Sequence, residues 1–409
     1  MGQPPQFHGR GRADLIGAPP TIQCPTIQGP TIQGWCPGAL RPMESGDGWV
    51  VRVRPHAGRL SQEQARGLAA LAAKHGNGRI DLSARANMQL RGVTMTSHTP
   101  LIGGLRDLGL LDDSAQAESR RNVTLAPFWA QGDGAHDVAQ ELSTALTAPS
   151  APRLPSKFGF VVDMGASPIL RDIAGDIRIE RSPVGALIYG SGAQTGAAVP
   201  LPDAVQTALH LANWFGDAGG IGPDGRGRMP ALLAQGAVLP APFAAQAVPS
   251  ALPFTPRIGL HLAGALVGFE FGQMQAETLA ALAELGPLRI TPWRMVLVEG
   301  AQSMPTLAHL ITDADDPMLR VIACTGAHAC TQAHQPTRDL ARALAPHISQ
   351  GQICHVSGCA KGCAHPAPAA LTLTATPSGF DLVQNGRAGD TPNRAGLAPS
   401  IIPQALNAL

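Results

Sequence analysis

Residues 49–54, WVVRVR, end in a strict apolar and basic alternation that reads as a strand. Leu60 and Ser61 then open a helix, because Ser61 and Gln64 stand at capping-box spacing and Leu68, Leu71 and Ala72 share one helical face. Gly76 and Gly78 stop it, and two strands follow, RIDLS at 79–83 and NMQLRGV at 87–93. The same order returns about 208 positions later: a strand at 265–271, a helix from Ala276 to Leu285 stopped by Gly286, and strands at 288–291 and 295–298. At that offset Leu71 meets Leu279, Leu82 meets Ile290, Ser83 meets Thr291 and Gly92 meets Gly300. A repeat this long implies duplication of a whole unit, and so a pseudo-two-fold α+β architecture with a site between the halves.

Each repeat is followed by a second α/β segment. After the first, strands are expected within 154–165, at 177–180 and at 185–189, with a helix from Asp203 to Phe215. After the second, a helix is expected near 337–345 and strands at 370–375 and 380–384. The Ala- and Pro-rich stretch 236–256 has the composition of a linker. Copies of PTIQ at 20–23, 25–28 and 30–33 mark the first 45 residues as an extended arm.

Four cysteines carry the clearest chemistry. Cys324 and Cys330 have five residues between them, Cys359 and Cys363 have three, and 28 residues separate the pairs. Four soft thiolates are the usual complement of a 4Fe-4S cube. A structural zinc is the competing reading, although zinc pairs usually stand two to four residues apart. Gly326, Gly358 and Gly362 allow close backbone approach to a cluster and N–H bonds to its sulfurs. His328, His334, His355 and His365 crowd the same region, which raises the expectation of a further mononuclear non-haem iron, against the plainer one of capping and surface histidines. Cys354 reads as a buried inert thiol, and Cys24 and Cys36 have no such pairing.

Composition narrows the class. With 409 residues, 44% of them hydrophobic and 14% charged, the chain can bury two or three domain-sized cores. A net charge of +1 gives no general electrostatic reason to expect nucleic acid or a membrane, and no run approaches the roughly 18 apolar residues of a membrane span. The absence of an export signal in the reading makes disulfides unexpected and the cytoplasm the expected home. GSGAQTG at 190–196 reads GxGxxxG, weak support for a nicotinamide site, so electrons are expected from a separate NADH-linked reductase or ferredoxin.

The basic residues of the first half form a second constellation. Arg52 and Arg54 share a strand face, as do Arg85, Asn87 and Gln89 if that stretch is extended, with Ala86, Met88 and Leu90 packed behind them. With Arg121 and Lys157 they are expected to make either a pocket for a ligand carrying several carboxylates or, on spacing alone, a solvated face.

SARANMQLRGV at 83–93, RRNV at 120–123 and LPSKF at 154–158, together with the duplication and the paired cysteines, resemble the sulfite and nitrite reductase family, over about residues 46–385. Members hold a 4Fe-4S cluster beside a sirohaem. The resemblance implies ferredoxin-like half-domains at 46–110 and 257–312, an α/β domain at 111–240, a linker at 241–256 and a cluster-binding α/β domain at 313–409. It implies Cys324, Cys330, Cys359 and Cys363 as cluster ligands, with Cys363 matching the thiolate that bridges to sirohaem iron in the reductases. Arg85 and Gln89 match residues that hold tetrapyrrole carboxylates, with Arg52 and Asn87 beside them. Arg54, Arg121 and Lys157 match the basic residues around the small anion, and catalytic roles are expected for Arg121 and Lys157. Where the reductases have a second lysine, this chain has Gly159. ITPWRMVLV at 290–298, WCPGALRPMESGDGWVVRVRP at 35–55 and HVSGCAKGCAHP at 355–366 resemble a branch whose tetrapyrrole is substrate and is hydroxylated with dioxygen, sirohaem reduction of sulfite or nitrite being the alternative.

Overall fold

A computed structural model describes Gly2 and residues 37–406. The PTIQ copies, Cys24 and Cys36 lie outside the described residues. Two five-stranded antiparallel sheets mirror one another. The first runs Met43–Ser45, Gly48–Val53, Met88–Val93, Arg79–Leu82 and Gln273–Gln275; the second runs Gly259–His261, Gly264–Val267, Val296–Glu299, Leu288–Ile290 and Arg59–Leu60. Each sheet thus takes its last strand from the other half. The exchange is made by matching 3-10 turns, His56–Gly58 and Glu270–Gly272, in which Ala57 and Phe271 are left-handed (φ 48° and 57°) and the following Gly58 and Gly272 repeat that hand (φ 69° and 66°). Two consecutive left-handed residues turn the chain out of its own sheet, and glycine takes the second position without a Cβ penalty.

The first helix, Gln62–His75, starts where the capping box places it: Ser61 accepts from Gln64 N and the Gln64 side chain accepts from Ser61 N. Its apolar face, with Leu68 and Ala72 buried, packs on the second helix, Ala276–Leu285, whose Leu279 and Leu282 are also buried. Gln62 Nε2 donates to the Ala283 carbonyl at 2.9 Å across this contact. One core therefore serves both halves, and truncating Leu68 or Leu279 to alanine is expected to cost about 2–5 kcal/mol. The repeat offset is 214 at Gly58 and Gly272 but 208 at Leu82 and Ile290, because the second helix is four residues shorter than the first, and the loop and the strand that follow it are each one residue shorter.

Two mixed sheets flank this pair. The six-stranded sheet runs Gln246–Ala247, Thr195–Val199, Gly185–Gly190, Ile177–Ser182, Phe160–Asp163 and Val123–Leu125; the five-stranded one runs Val321–Ala323, Cys354–Ser357, Ala369–Thr376, Gly379–Gly386 and Arg394–Leu397. In each, the first three strands in chain order are parallel and the remainder antiparallel. The helices Ala135–Thr147 and Ala204–Asp217 cover the six-stranded sheet, with Phe158, Phe160 and Phe215 at the centre of its core.

Two expectations change here, and a glycine run takes its place in the fold. Met43–Ser45, inside the span expected as an arm, is an edge strand paired with Gly48–Val50. The stretch expected as a linker is partly sheet: Phe243 is fully buried, and Gln246 and Ala247 pair with Gly196 and Thr195. GSGAQTG forms the turn between two antiparallel strands, not the strand-to-helix turn that a dinucleotide phosphate needs. Among the described residues no helix is long and apolar enough to cross a membrane.

Candidate functional site

The two cysteine pairs meet because of sheet topology. Val321–Ala323 and Cys354–Ser357 are neighbouring parallel strands with Ala323 opposite Val356, so the loops carrying Cys324 and Cys330 and carrying Cys359 and Cys363 leave from the same edge of the sheet. The carboxyl ends of parallel strands are where such sheets build ligand sites. Gly358 N–H donates to Cys324 Sγ at 3.1 Å, and a Cβ at Gly358 would fall 2.7 Å from Ala333 Cβ and 3.3 Å from that sulfur. Burial pushes the Cys359 and Cys363 thiols up, and Cys324 and Cys330 push them further, with Lys361 opposing. Thiols of the second loop that feel both sulfurs of the first, with an N–H bond already aimed at Cys324, fit a thiolate-held cluster. Cys354 stands apart: it is fully buried in its strand and its thiol is pushed up to about 12, an inert core group.

The first cysteine loop is clamped by the first half. The Ala329 carbonyl accepts from Ser45 Oγ at 2.5 Å, Gly46 N at 3.2 Å and Arg91 Nη2 at 3.1 Å. Arg91 in turn bridges Asp47 at 2.6 Å and Asp81 at 3.0 Å, with its side chain 5% exposed. The second loop is held by Arg294, whose Nη2 donates to the Ala364 carbonyl at 2.9 Å. Sequence reasoning passed over Arg91, Arg294 and Arg338; Arg294 lies inside ITPWRMVLV, but its partner is 70 residues away.

His355 is fully buried and neither ring nitrogen has a hydrogen-bond partner, while burial pushes its pKa down to about 4. Its ring lies edge-on to His365, with centroids 5.7 Å apart. Among the described residues no three His, Cys, Asp or Glu side chains converge on one ion, so these two imidazoles are an incomplete donor set for a mononuclear iron.

The basic constellation is only partly as expected. Arg52 lies opposite Gln89 on the neighbouring strand, and the Gln89 amide, oriented by these donors, accepts from Arg52 Nη2 at 2.8 Å and Nε at 3.3 Å. Arg85 and Asn87 do not extend that face. Ser83–Asn87 is a tight turn closed by Ser83 N donating to Asn87 O at 2.9 Å, with Ala86 left-handed at φ 53°, so the stretch bends before the strand begins at Met88. Arg85 Nη2 instead donates to the Lys157 carbonyl at 3.0 Å. Met88 and Leu90 are buried as the alternation requires.

Arg54 is buried, donating to the Glu118 and Pro37 carbonyls, and with Arg41, Gln116 and Ser156 it lines a cavity of about 290 Å³. Arg121 is locked in a bidentate pair with Asp112, at 2.7 and 2.9 Å, and donates to the Arg54 carbonyl at 2.9 Å. Arg54, Asn87 and Arg121 line one tight cleft. Lys157 is exposed beside Ser156. At Gly159 a Cβ would fall 2.9 Å from Asn122 Nδ2, which is itself held by the Phe158 carbonyl at 2.8 Å, so a side chain there meets a fixed neighbour.

Exchanged strands, a shared core and cysteine loops on a mixed sheet define the class of the sulfite and nitrite reductases. Residues 41–108 match the nitrite/sulfite reductase ferredoxin-like half domain. The fold is similar to that of the Mycobacterium tuberculosis NirA protein, with a TM-score of 0.60 and 15% identity over 87% of this chain and 79% of that one. A precorrin-3B synthase of Sinorhizobium sp is 30% identical over 398 residues, covering 88% of this chain and 84% of that protein. The chain belongs to the precorrin-3B synthase family and is an oxidoreductase-type enzyme.

Proposed function

We propose that this chain hydroxylates precorrin-3A at C20 with dioxygen and closes a γ-lactone, giving precorrin-3B in aerobic cobalamin biosynthesis. The observation that carries the reading is the convergence of the two cysteine loops at neighbouring strand ends, in a chain of this family. Cys324, Cys330, Cys359 and Cys363 would hold a 4Fe-4S cube, which when bound passes single electrons from a separate reductase or ferredoxin.

The chain's own residues bind and orient. A tetrapyrrole carrying acetate and propionate groups calls for several guanidinium and ammonium partners, each taking a carboxylate. Arg54, Arg85, Lys157, Arg52 and Gln89 are the proposed set, with Asn87 beside Arg54 in the cleft. Arg85 and Lys157 act together, because the Arg85 head is already fixed on the Lys157 carbonyl and one carboxylate can meet both side chains. Arg121, neutralised by its bidentate pair with Asp112, positions Arg54 through its carbonyl. Lys157 is an exposed cation beside Ser156, suited to pair with a substrate carboxylate.

Sulfite or nitrite reduction is the weaker reading, since Gly159 lacks the second lysine and Asn122 takes the space beside it. No step is drawn through a mononuclear iron, for which His355 and His365 are an incomplete set. The test is to incubate anaerobically purified chain with precorrin-3A and reductant, admit labelled dioxygen and analyse the product by mass spectrometry. One labelled oxygen atom in a lactone product supports the proposal. Turnover of sulfite, with precorrin-3A unchanged, overturns it.

A further inference from the structure

A half-buried set of charges centred on the buried Arg91 lies behind the cysteine loops, and its sum is not zero. Arg91 pairs with Asp47 and Asp81; Arg338 reaches Asp81 only at 3.6 Å and otherwise donates to the Gln273 side chain. Arg338 Nε is buried with no hydrogen-bond partner. Arg294 is half-buried, and its side chain donates to the neutral Ala364 carbonyl; among the described residues no carboxylate lies within ion-pair distance of it. Three guanidinium groups therefore face two carboxylates.

Both surplus cations adjoin cysteine loops through the residues they hold or follow. Ala364, which Arg294 holds, directly follows Cys363. Arg338 directly follows Thr337, whose Oγ1 donates to the Cys324 carbonyl at 2.7 Å and whose backbone N lies 2.9 Å from where a Cβ on Gly326 would fall. Burial pulls both guanidinium groups below their ordinary range, and in both cases Asp81 opposes it most, with Cys324 opposing it as well. A guanidinium does not escape partial burial by losing its proton, so a nearby anion would stabilise the surplus. Arg294 is also left-handed, at φ 61°, a backbone conformation that glycine takes without a Cβ penalty.

We infer that Arg294 and Arg338 are the counter-charges of the thiolate-held cluster, stabilising its reduced form, which carries one more negative charge, and so raising the potential at which it accepts an electron. The inference rests on the cluster reading above. The electron comes from the external donor, and no proton moves at either arginine. Both are positioning residues that act on the cluster through space.

The experiment is an anaerobic potentiometric titration of the full chain with dithionite, followed by electron paramagnetic resonance, on the unmodified protein and on Arg294→Gln, Arg338→Gln and Arg294→Lys. The expected result is a more negative midpoint in both glutamine variants at unchanged iron and sulfide content, and a midpoint near the unmodified value in Arg294→Lys. Unmoved midpoints in the glutamine variants overturn the inference while leaving the cluster standing. Equal loss of the cluster from Arg294→Gln and Arg294→Lys also overturns it, because the lysine keeps the charge. A cluster lost from both glutamine variants and kept in Arg294→Lys supports it. No cluster signal in the unmodified chain overturns the functional reading itself.

Discussion

Arg91 and Ala329, 238 residues apart in sequence, are joined by a 3.1 Å hydrogen bond that fixes the first cysteine loop to the sheet of the first half. Gln89, two residues before Arg91 on the same strand, holds Arg52, so one strand serves both the cysteine loop and the basic constellation. Replacing Arg91 by alanine leaves the half-buried Asp47 without a cation and Asp81 with only Arg338 at 3.6 Å. A loss of about 3–5 kcal/mol is expected, as for other broken buried pairs. Chemical denaturation measures it, and iron retention should fall in parallel; an unchanged unfolding midpoint contradicts the clamp.

Cys359→Ser and Cys330→Ser are expected to lose iron and sulfide together, because each removes one corner ligand. Cys354→Ala should keep both, its thiol being packed inside a strand. Iron and labile-sulfide analysis of anaerobic preparations decides the matter. Equal metal content in Cys359→Ser and Cys354→Ala would go against the ligand assignment.

Much of the frame was legible because local rules and tertiary demands agree there. Ser61 and Gln64 announced a helix start, Gly286 a helix stop, and the match of Leu82 with Ile290 the duplication. What escaped depends on contacts distant in sequence. Gln273–Gln275 is a short polar strand whose partner, Arg79–Leu82, belongs to the other half. The helix Met95–Asp107 carries Pro100 and two glycines and buries only Leu101 and Leu105, too thin a period to read. Ser83–Asn87 looked extended because Ala86, a residue that rarely turns left-handed, does so here. In the site, the cysteines were visible as a pattern, whereas Arg91 and Arg294 were not, since their targets are backbone carbonyls that sequence does not mark.

Gly326→Ala should weaken the first cysteine loop. Gly326 is left-handed at φ 74°, and a Cβ there would fall 2.6 Å from Thr337 Oγ1, the group that caps the Cys324 carbonyl. The backbone term alone is about 1 kcal/mol, and displacement of Thr337 adds to it. A lowered melting temperature with reduced iron loading is expected; a melt matching the unmodified chain contradicts this account of the loop.

His355 ties stability to pH in a defined window. Its folded-state pKa, about 4, lies below the ordinary 6.5, so between those values the unfolded chain binds a proton that the folded chain does not. Stability contributed by this residue is complete above 6.5 and falls as pH drops toward 4, by on the order of a few kcal/mol. In Cys359→Ser, which excludes metal from the comparison, adding His355→Leu should flatten the slope of unfolding free energy across that window. An unchanged slope contradicts the assignment of a neutral buried imidazole.

The central claim is that four thiols from two neighbouring strand ends share one inorganic cube. Its most direct measurement is iron, labile sulfide and low-temperature electron paramagnetic resonance on the unmodified chain purified without oxygen and reduced with dithionite. One reducible 4Fe-4S cluster per chain, lost on Cys359→Ser, is the predicted result. A colourless, iron-poor preparation, or a signal that survives Cys359→Ser, would contradict it.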